Sequence, residues 1–293
     1  MHTVLRSATK QVVIGPDQPF CIIGERINPT GRPKFQQELR DGDLHRVAED
    51  VHAQIAGGAT MLDVNMGVPL ADEADLLARA VRLVQSLTDL PLCIDSSVVE
   101  ALDAGLAAYQ GKALVNSVTG EKERMEQILP LVKKYGAAVI ALPNEEEEIP
   151  EDPQVRLEIT RKIVAVATKE YGIPIEDIVI DPLAMPIGAN HEYGKWTCEA
   201  IALIRAELDL NMTLGASNVS FGMPGRHALA ASFLPMAMSN GLTSAIMDAR
   251  TPQVVEAVRA ADLMLGNDEW GASWIAAFRA KQKAQAEQVA PQA

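Results

Sequence analysis

One unit repeats along this chain. A short apolar run closes on a polar residue, and a longer stretch with helical spacing follows. The runs are Phe20–Gly24, closing at Glu25; Thr60–Leu62, closing at Asp63 and continuing to Asn65; and Leu90–Ile94, closing at Asp95. Ala113–Val115 then closes at Asn116, Ala137–Leu142 at Pro143-Asn144, and Ile178–Ile180 at Asp181. Met212–Ala216 closes at Ser217-Asn218, and Ser244–Met247 at Asp248. Between them, Leu44–Gly57, Asp72–Leu87, Glu121–Tyr135, Pro153–Tyr171 and Thr197–Leu208 carry apolar residues three and four apart, and Gly or Pro marks several ends. Strands alternating with helices pair in parallel through right-handed crossovers. Eight such units predict an α/β fold of the closed (β/α)8 barrel type, because closure leaves no edge strand.

The length of 293 residues accommodates one such barrel, which typically takes about 250. The expected organisation is an N-terminal extension over 1–19, the barrel over 20–275, and a flexible tail over 276–293. That tail is rich in Ala, Gln and Lys, and is expected to fray and take no part in catalysis. Aromatic residues make up only 4% of a chain that is 48% apolar, which suits helices packed on a parallel sheet better than a sandwich. The net charge of −13 argues against nucleic acid as a partner, since phosphates need a basic surface. No run is apolar enough to span a membrane, and Met1–Phe20 lacks the continuous apolar core of a secretory signal. Cys21, Cys93 and Cys198 are too widely spaced for a zinc or disulfide framework, so a reducing, cytoplasmic setting is expected.

In a barrel of this type the active site forms at the C-terminal ends of the strands. Glu25, Asn28, Asp63, Asn65, Asp95, Asn116, Asp181, Asn218 and Asp248 should therefore share one mouth. Any one of these residues could simply cap the following helix. So many together, with Lys, Arg and His nearly missing from the same positions, favour a neutral ligand that presents N–H donors. The histidines show no HxH or HExxH spacing, so a zinc site is not expected; His191 and His227 are the two that could reach the mouth. No nucleophile elbow, Walker A loop or GxGxxG motif occurs. Glu145–Glu148 reads as a solvated acidic loop.

Seven segments, in order, resemble those of the methyltetrahydrofolate:corrinoid protein methyltransferases and of the pterin-binding domain of cobalamin-dependent methionine synthase. They are Ile23-Gly24-Glu25-Arg26-Ile27-Asn28-Pro29-Thr30-Gly31, Leu62–Gly67 (LDVNMG), Cys93–Ser97 (CIDSS), Val115–Gly120 (VNSVTG), Ile180–Leu183 (IDPL), Gly215–Ser220 (GASNVS) and Phe233–Leu242 (FLPMAMSNGL). The similarity runs from about residue 20 to 265. It implies a barrel whose mouth holds the pterin of tetrahydrofolate or 5-methyltetrahydrofolate. By the same resemblance, Asp95, Asn116 and Asp181 would hold the ring, and Asn218 would sit near the reactive N5. Gly215, Ser217 and Arg226 would line the site, and Asn218 and Asp95 would be the catalytic pair. The corrinoid (cobalamin) would belong to a separate protein docking over the mouth, and the chain would form a homodimer. Phe221 stands where members partnered with a corrinoid/iron–sulfur protein tend to carry a polar residue. The opening motif continues Asn28-Pro29-Thr30-Gly31-Arg32-Pro33, closer to methionine synthase and to methyltransferases of demethylation pathways, so transfer from a methylcorrinoid to tetrahydrofolate is an expected direction.

The side chains themselves suit such a ligand. A reduced pterin offers its 2-amino group and adjacent N3–H side by side, and Asp181 or Asp95 could accept both. An amide such as Asn218 can donate to a bare N5 or accept from a protonated one, which helps because the amine leaves poorly. A dihydropteroate synthase would share the pterin pocket but needs cations for a pyrophosphate. The ends of the seventh and eighth runs instead carry Ser217-Asn218-Val219 and Ala245-Ile246-Met247-Asp248. A non-catalytic folate-binding subunit is the other reading left open.

Overall fold

The computed structural model describes residues 1–145 and 149–289. The chain opens with an antiparallel hairpin, β1 (Thr3–Arg6) and β2 (Gln11–Ile14). Eight parallel strands follow: β3 (Cys21–Ile27), β4 (Met61–Asn65), β5 (Leu92–Asp95), β6 (Leu114–Thr119), β7 (Ala138–Leu142), β8 (Ile178–Ile180), β9 (Asn211–Met212) and β10 (Ser244–Met247). Their spatial order is β10-β3-β4-β5-β6-β7-β8-β9. The ring closes between β9 and β10, where Ile246 N–H donates to Leu214 O at 2.9 Å and Ala216 N–H to Ile246 O at 2.9 Å. This is the expected (β/α)8 barrel.

Among the described residues ten α-helices accompany the strands: α1 (Pro33–Arg40), α2 (His45–Gly57), α3 (Glu73–Leu87), α4 (Val99–Ala108), α5 (Lys122–Tyr135), α6 (Pro153–Lys169), α7 (Tyr193–Leu208), α8 (Arg226–Ser239), α9 (Pro252–Leu265) and α10 (Ala272–Val289). α2, α3, α5, α6 and α7 are the five that periodicity predicts. α4 and α8 escape that pattern for opposite reasons. α4 is short and Ala-rich, and its Gly105 fits so closely that a Cβ would lie 2.9 Å from Ile94. α8 is apolar on most of its circumference and carries Pro235.

Two strands run past the polar residue at which they were expected to stop. β3 continues through Glu25 to Ile27 and β6 through Asn116 to Thr119, each with a register shift where the polar side chain sits. The seventh strand is shorter than predicted. Its regular pairing with β8 covers only Asn211–Met212, and a parallel bridge between Gly215 and Ile246 carries the ladder on to β10. Residues 3–14 belong to the hairpin. Leu5 and Ile14, both fully buried, join Cys21, Ile23, Met61, Cys93, Leu114, Ala138, Ile140 and Val179 in the barrel interior. α10 is helical through Val289, consistent with its strong helix formers. Of the acidic loop, Glu146–Glu148 lie outside the described residues; Glu145 pairs with Lys162.

The interior explains the mouth. Side chains alternate across a strand, so a residue two positions after an inward one also points inward. Ile23, Met61, Cys93, Leu114 and Val179 are inward and buried. Two residues on stand Glu25, Asp63, Asp95, Asn116 and Asp181. The lower barrel is filled with apolar side chains, and the next layer in the same columns is polar.

Candidate active site

The polar layer lines a cavity of about 630 Å³ at the C-terminal ends of the strands. Glu25, Asn28, Asp63, Asp95, Asn116 and Asp181 contribute from β3, β4, β5, β6 and β8 and their loops, and Gly215, Ser217, Asn218, Arg226 and Asp248 from the last two strands and theirs. Asn65 alone of the expected set does not reach the wall. It stands beside Asp95, donating from Nδ2 to Asp95 Oδ2 at 2.9 Å while its Oδ1 accepts from Gly67 N–H at 2.8 Å. His227 lines the cavity and His191 does not.

At the floor, Asp63 is 2% exposed and accepts from Asn116 Nδ2 at 3.3 Å. Burial, and then the charge of neighbouring Asp95, push its carboxyl well above the ordinary range. Burial also raises Asp95, to about 6, against the Asn65 amide that favours its ionised form. At neutral pH the floor thus offers an ionised Asp95 beside a carboxyl, Asp63, whose burial favours the neutral form. Asp181 is raised to about 7 by burial, opposed by the Leu183 N–H, which donates to Oδ1 at 2.8 Å, and by the charge of Arg156. Burial raises Glu25 as well, opposed first by Ser217 Oγ, which donates to Glu25 Oε2 at 3.1 Å.

Asn218 stands across the mouth at the start of a 3-10 turn, Asn218–Ser220. Its side chain is exposed, and it has no intramolecular hydrogen bond among the described residues. Gly215 is required beside it: a Cβ there would lie 2.9 Å from Asn218 Nδ2. Arg226 Nη2 donates to Ser217 O at 2.8 Å, with its guanidinium 5.6 Å from the Phe221 ring. Asn28 folds onto its own loop, accepting from Thr30 N–H at 2.9 Å.

Asp248 differs from the other acids. Its Oδ1 accepts from Gln54 Nε2 at 2.8 Å, and Arg250 Nε and Nη2 grip both oxygens at 2.8 Å. Burial acts to raise its pKa, but the Arg250 and Gln54 bonds prevail and hold it below the ordinary value. This carboxylate is satisfied by the protein itself. The mouth also carries more positive charge than the strand-end pattern indicates, since Arg26 and Arg226 both line it. Arg26 lies one residue past the inward position of β3 and is 3.8 Å from Asp248, whereas Arg226 comes from the start of α8. Neither sits in a strand-end column, so that pattern misses both; Arg226 is instead among the residues the resemblance implies. The arrangement as a whole can accept two adjacent N–H donors at an ionised acid, donate from amides, and leave one amide available to a ligand.

A barrel with this mouth defines a class of enzymes that hold a flat, N–H-rich heterocycle, and comparison with known proteins sharpens the assignment. The family model for pterin-binding enzymes matches residues 24–248. A methylcorrinoid:tetrahydrofolate methyltransferase of Eubacterium limosum is 31% identical over 263 residues, covering 89% of this chain and 96% of that protein. The chain belongs to the pterin-binding enzymes, within the methyltetrahydrofolate:corrinoid methyltransferase family. Among solved structures, a Yersinia pestis dihydropteroate synthase with a pterine-sulfa conjugate is similar at TM-score 0.69 and 16% identity, over 90% of this chain and 98% of that one. Dihydropteroate synthase from Xanthomonas albilineans, in complex with 7,8-dihydropteroate, matches at TM-score 0.68 and 18% identity, over 89% and 98%. At these identities the likeness to the synthases is one of fold. Among the described residues, no helix is long and apolar enough to cross a membrane.

Proposed function

We propose that this enzyme moves a methyl group between the cobalt of a methylcorrinoid and N5 of tetrahydrofolate, with tetrahydrofolate as the physiological acceptor. The corrinoid is carried by a separate protein that docks over the mouth. The observation that carries the reading is the pairing of an acid-and-amide floor with one exposed, uncommitted amide, Asn218, across the same cavity. The direction is supported by the name of the 31% identical relative.

Asp181, Asp95 and Asn116 hold the pterin. An ionised Asp181 or Asp95 accepts the 2-amino and N3–H pair, and the Asn116 amide serves the ring's remaining donors or its carbonyl. Asn218 serves N5. As the N5 lone pair bonds to the methyl carbon, cobalt keeps the electron pair of the broken bond and positive charge grows on N5–H, whose proton passes to solvent once the methyl is in place. The Asn218 carbonyl oxygen accepts from that N–H, and the bond strengthens as the charge develops. Such a contact lowers the barrier by about 2–4 kcal/mol. Gly215 and Ser217 shape the approach, and Arg226 holds the Ser217 carbonyl.

The test is anaerobic incubation with methylcobalamin and tetrahydrofolate, following loss of methylcobalamin and formation of 5-methyltetrahydrofolate. Both are expected. A protein that binds tetrahydrofolate tightly, yet is silent with free and with protein-bound methylcorrinoid, is a folate-binding subunit instead. Condensation of a dihydropterin pyrophosphate with p-aminobenzoate would mark a dihydropteroate synthase.

A further inference from the structure

Behind the wall that carries Asp181 lies an unusual group. Arg156, on the first turns of α6, is the largest fully buried side chain among the described residues and does not line the cavity. Its guanidinium has no carboxylate within ion-pair distance among the described residues. Backbone carbonyls solvate it: Nε donates to Pro150 O at 2.6 Å, and Nη1 to Pro182 O at 2.7 Å and Leu183 O at 2.9 Å, while Nη2 is buried without a partner. Burying a cation this way is costly. If the task were only to tie two loops together, a neutral donor would do it without that cost.

The two carbonyls gripped by Nη1 belong to the residues directly after Asp181. Leu183 has a left-handed backbone, φ 64°, which aims its N–H back at Asp181 Oδ1, 2.8 Å away. The guanidinium thus fixes the turn, the turn fixes one carboxylate oxygen, and the other oxygen is left to the cavity. The ionisable groups facing Arg156 are Asp181 after β8, Tyr193 on α7 and Glu151 before α6. Tyr193 and Glu151 bond to each other at 2.6 Å. The charge of Arg156 favours the ionised form of Asp181, against burial.

We propose that Arg156 is a positioning residue for pterin recognition: it holds the 182–183 turn that orients the Asp181 carboxylate, and its uncompensated charge keeps that carboxylate ionised for the ligand's N–H pair. The inference rests on the proposed reading of Asp181 as a folate contact. Its effect should be visible in the pH dependence of binding. Burial raises Asp181 to about 7, and Arg156 restrains the rise.

The experiment is calorimetric titration of tetrahydrofolate into the full chain from pH 5.5 to 8.5, for the wild type, Asp181→Asn, Arg156→Gln and Arg156→Lys. The wild type should lose affinity on the acid side with a step near pH 7, and Asp181→Asn should bind weakly without that step. Arg156→Gln should move the step up by about one pH unit, as expected for removal of a neighbouring opposite charge. Arg156→Lys keeps the charge but not the two-carbonyl grip. Its step should stay in place while affinity falls about three-fold or more, the loss of one hydrogen bond. A folded Arg156→Gln with an unmoved step overturns the proposal. If that variant does not fold, Arg156→Lys decides, and affinity within two-fold of the wild type overturns it. If Asp181→Asn binds as the wild type does, the folate role of Asp181 fails and this inference with it. If Asp181→Asn binds weakly but neither Arg156 variant differs from the wild type, only this inference fails.

Discussion

Asp181→Asn should stabilise the protein at alkaline pH while weakening its hold on the ligand. Burial raises the Asp181 carboxyl from 3.8 to about 7. An acid raised on folding gives its full share of stability below the unfolded value and loses it as pH climbs through the folded value. The loss therefore runs from about pH 4 to about pH 7. For a fully buried group that span corresponds to about 4 kcal/mol. Asp181 is half-buried and faces the cavity, so solvent screening brings the cost to about 2 kcal/mol. Asparagine keeps the shape, and an amide oxygen can still accept the Leu183 N–H, but it cannot ionise. For a chain of this size 1 kcal/mol moves Tm by about 2 °C, so the variant should melt about 4 °C above the wild type at pH 8. At pH 4 the native carboxyl is already neutral, and the two should melt together. Scanning calorimetry at the two pH values measures both. Tetrahydrofolate affinity at pH 8 should meanwhile fall at least ten-fold, because two charge-assisted bonds are lost. A variant that melts at or below the wild type at pH 8, or gains equally at both pH values, would refute the claim that a buried charge is the source of the effect.

Two further predictions concern the loop after β9. Asn218→Ala should lower methyl transfer more than ten-fold while tetrahydrofolate affinity stays within about three-fold, the split expected when one transition-state contact is removed. Its Tm should scarcely move, because the turn is held by backbone bonds from Asn218 N–H to Gly215 O and from Phe221 N–H to Asn218 O, which alanine retains. Turnover within two-fold of the wild type would mean that Asn218 is not the N5 partner. Gly215→Ala should cost about ten-fold in turnover, because its Cβ would meet Asn218 Nδ2 at 2.9 Å and displace the amide. The Gly215→Ala/Asn218→Ala double variant should be no slower than Asn218→Ala alone; independent, multiplying losses would show that Gly215 acts by another route.

The barrel and much of its mouth were legible because both obey a short-range rule. Alternation along a strand turns the sequence order Met61, Asp63 or Val179, Asp181 directly into apolar depth followed by polar rim. What escaped depends on distance or on shape. Asp248 ends a strand like the others, yet Gln54, 194 residues earlier in the chain, and Arg250 occupy its oxygens, so its strand-end position does not make it available to a ligand. Asn65 has the right residue type but reaches Asp95, not the cavity. The N-terminal hairpin is two strands of four residues, too short for periodicity to register. Arg156 is the instructive case. On α6 it continues the buried stripe of Thr160, Ile163 and Ala167 at helical spacing. Pattern counting treats a charge in such a stripe as noise. Physically it is the reverse: a cation kept at a buried position needs partners, and they come from Pro150 just before the helix and from the turn after the next strand, beside Asp181. A charged residue out of place on an apolar face, upstream of a strand that ends in an acid, is a signal the sequence carried, and the structure shows what it is coupled to.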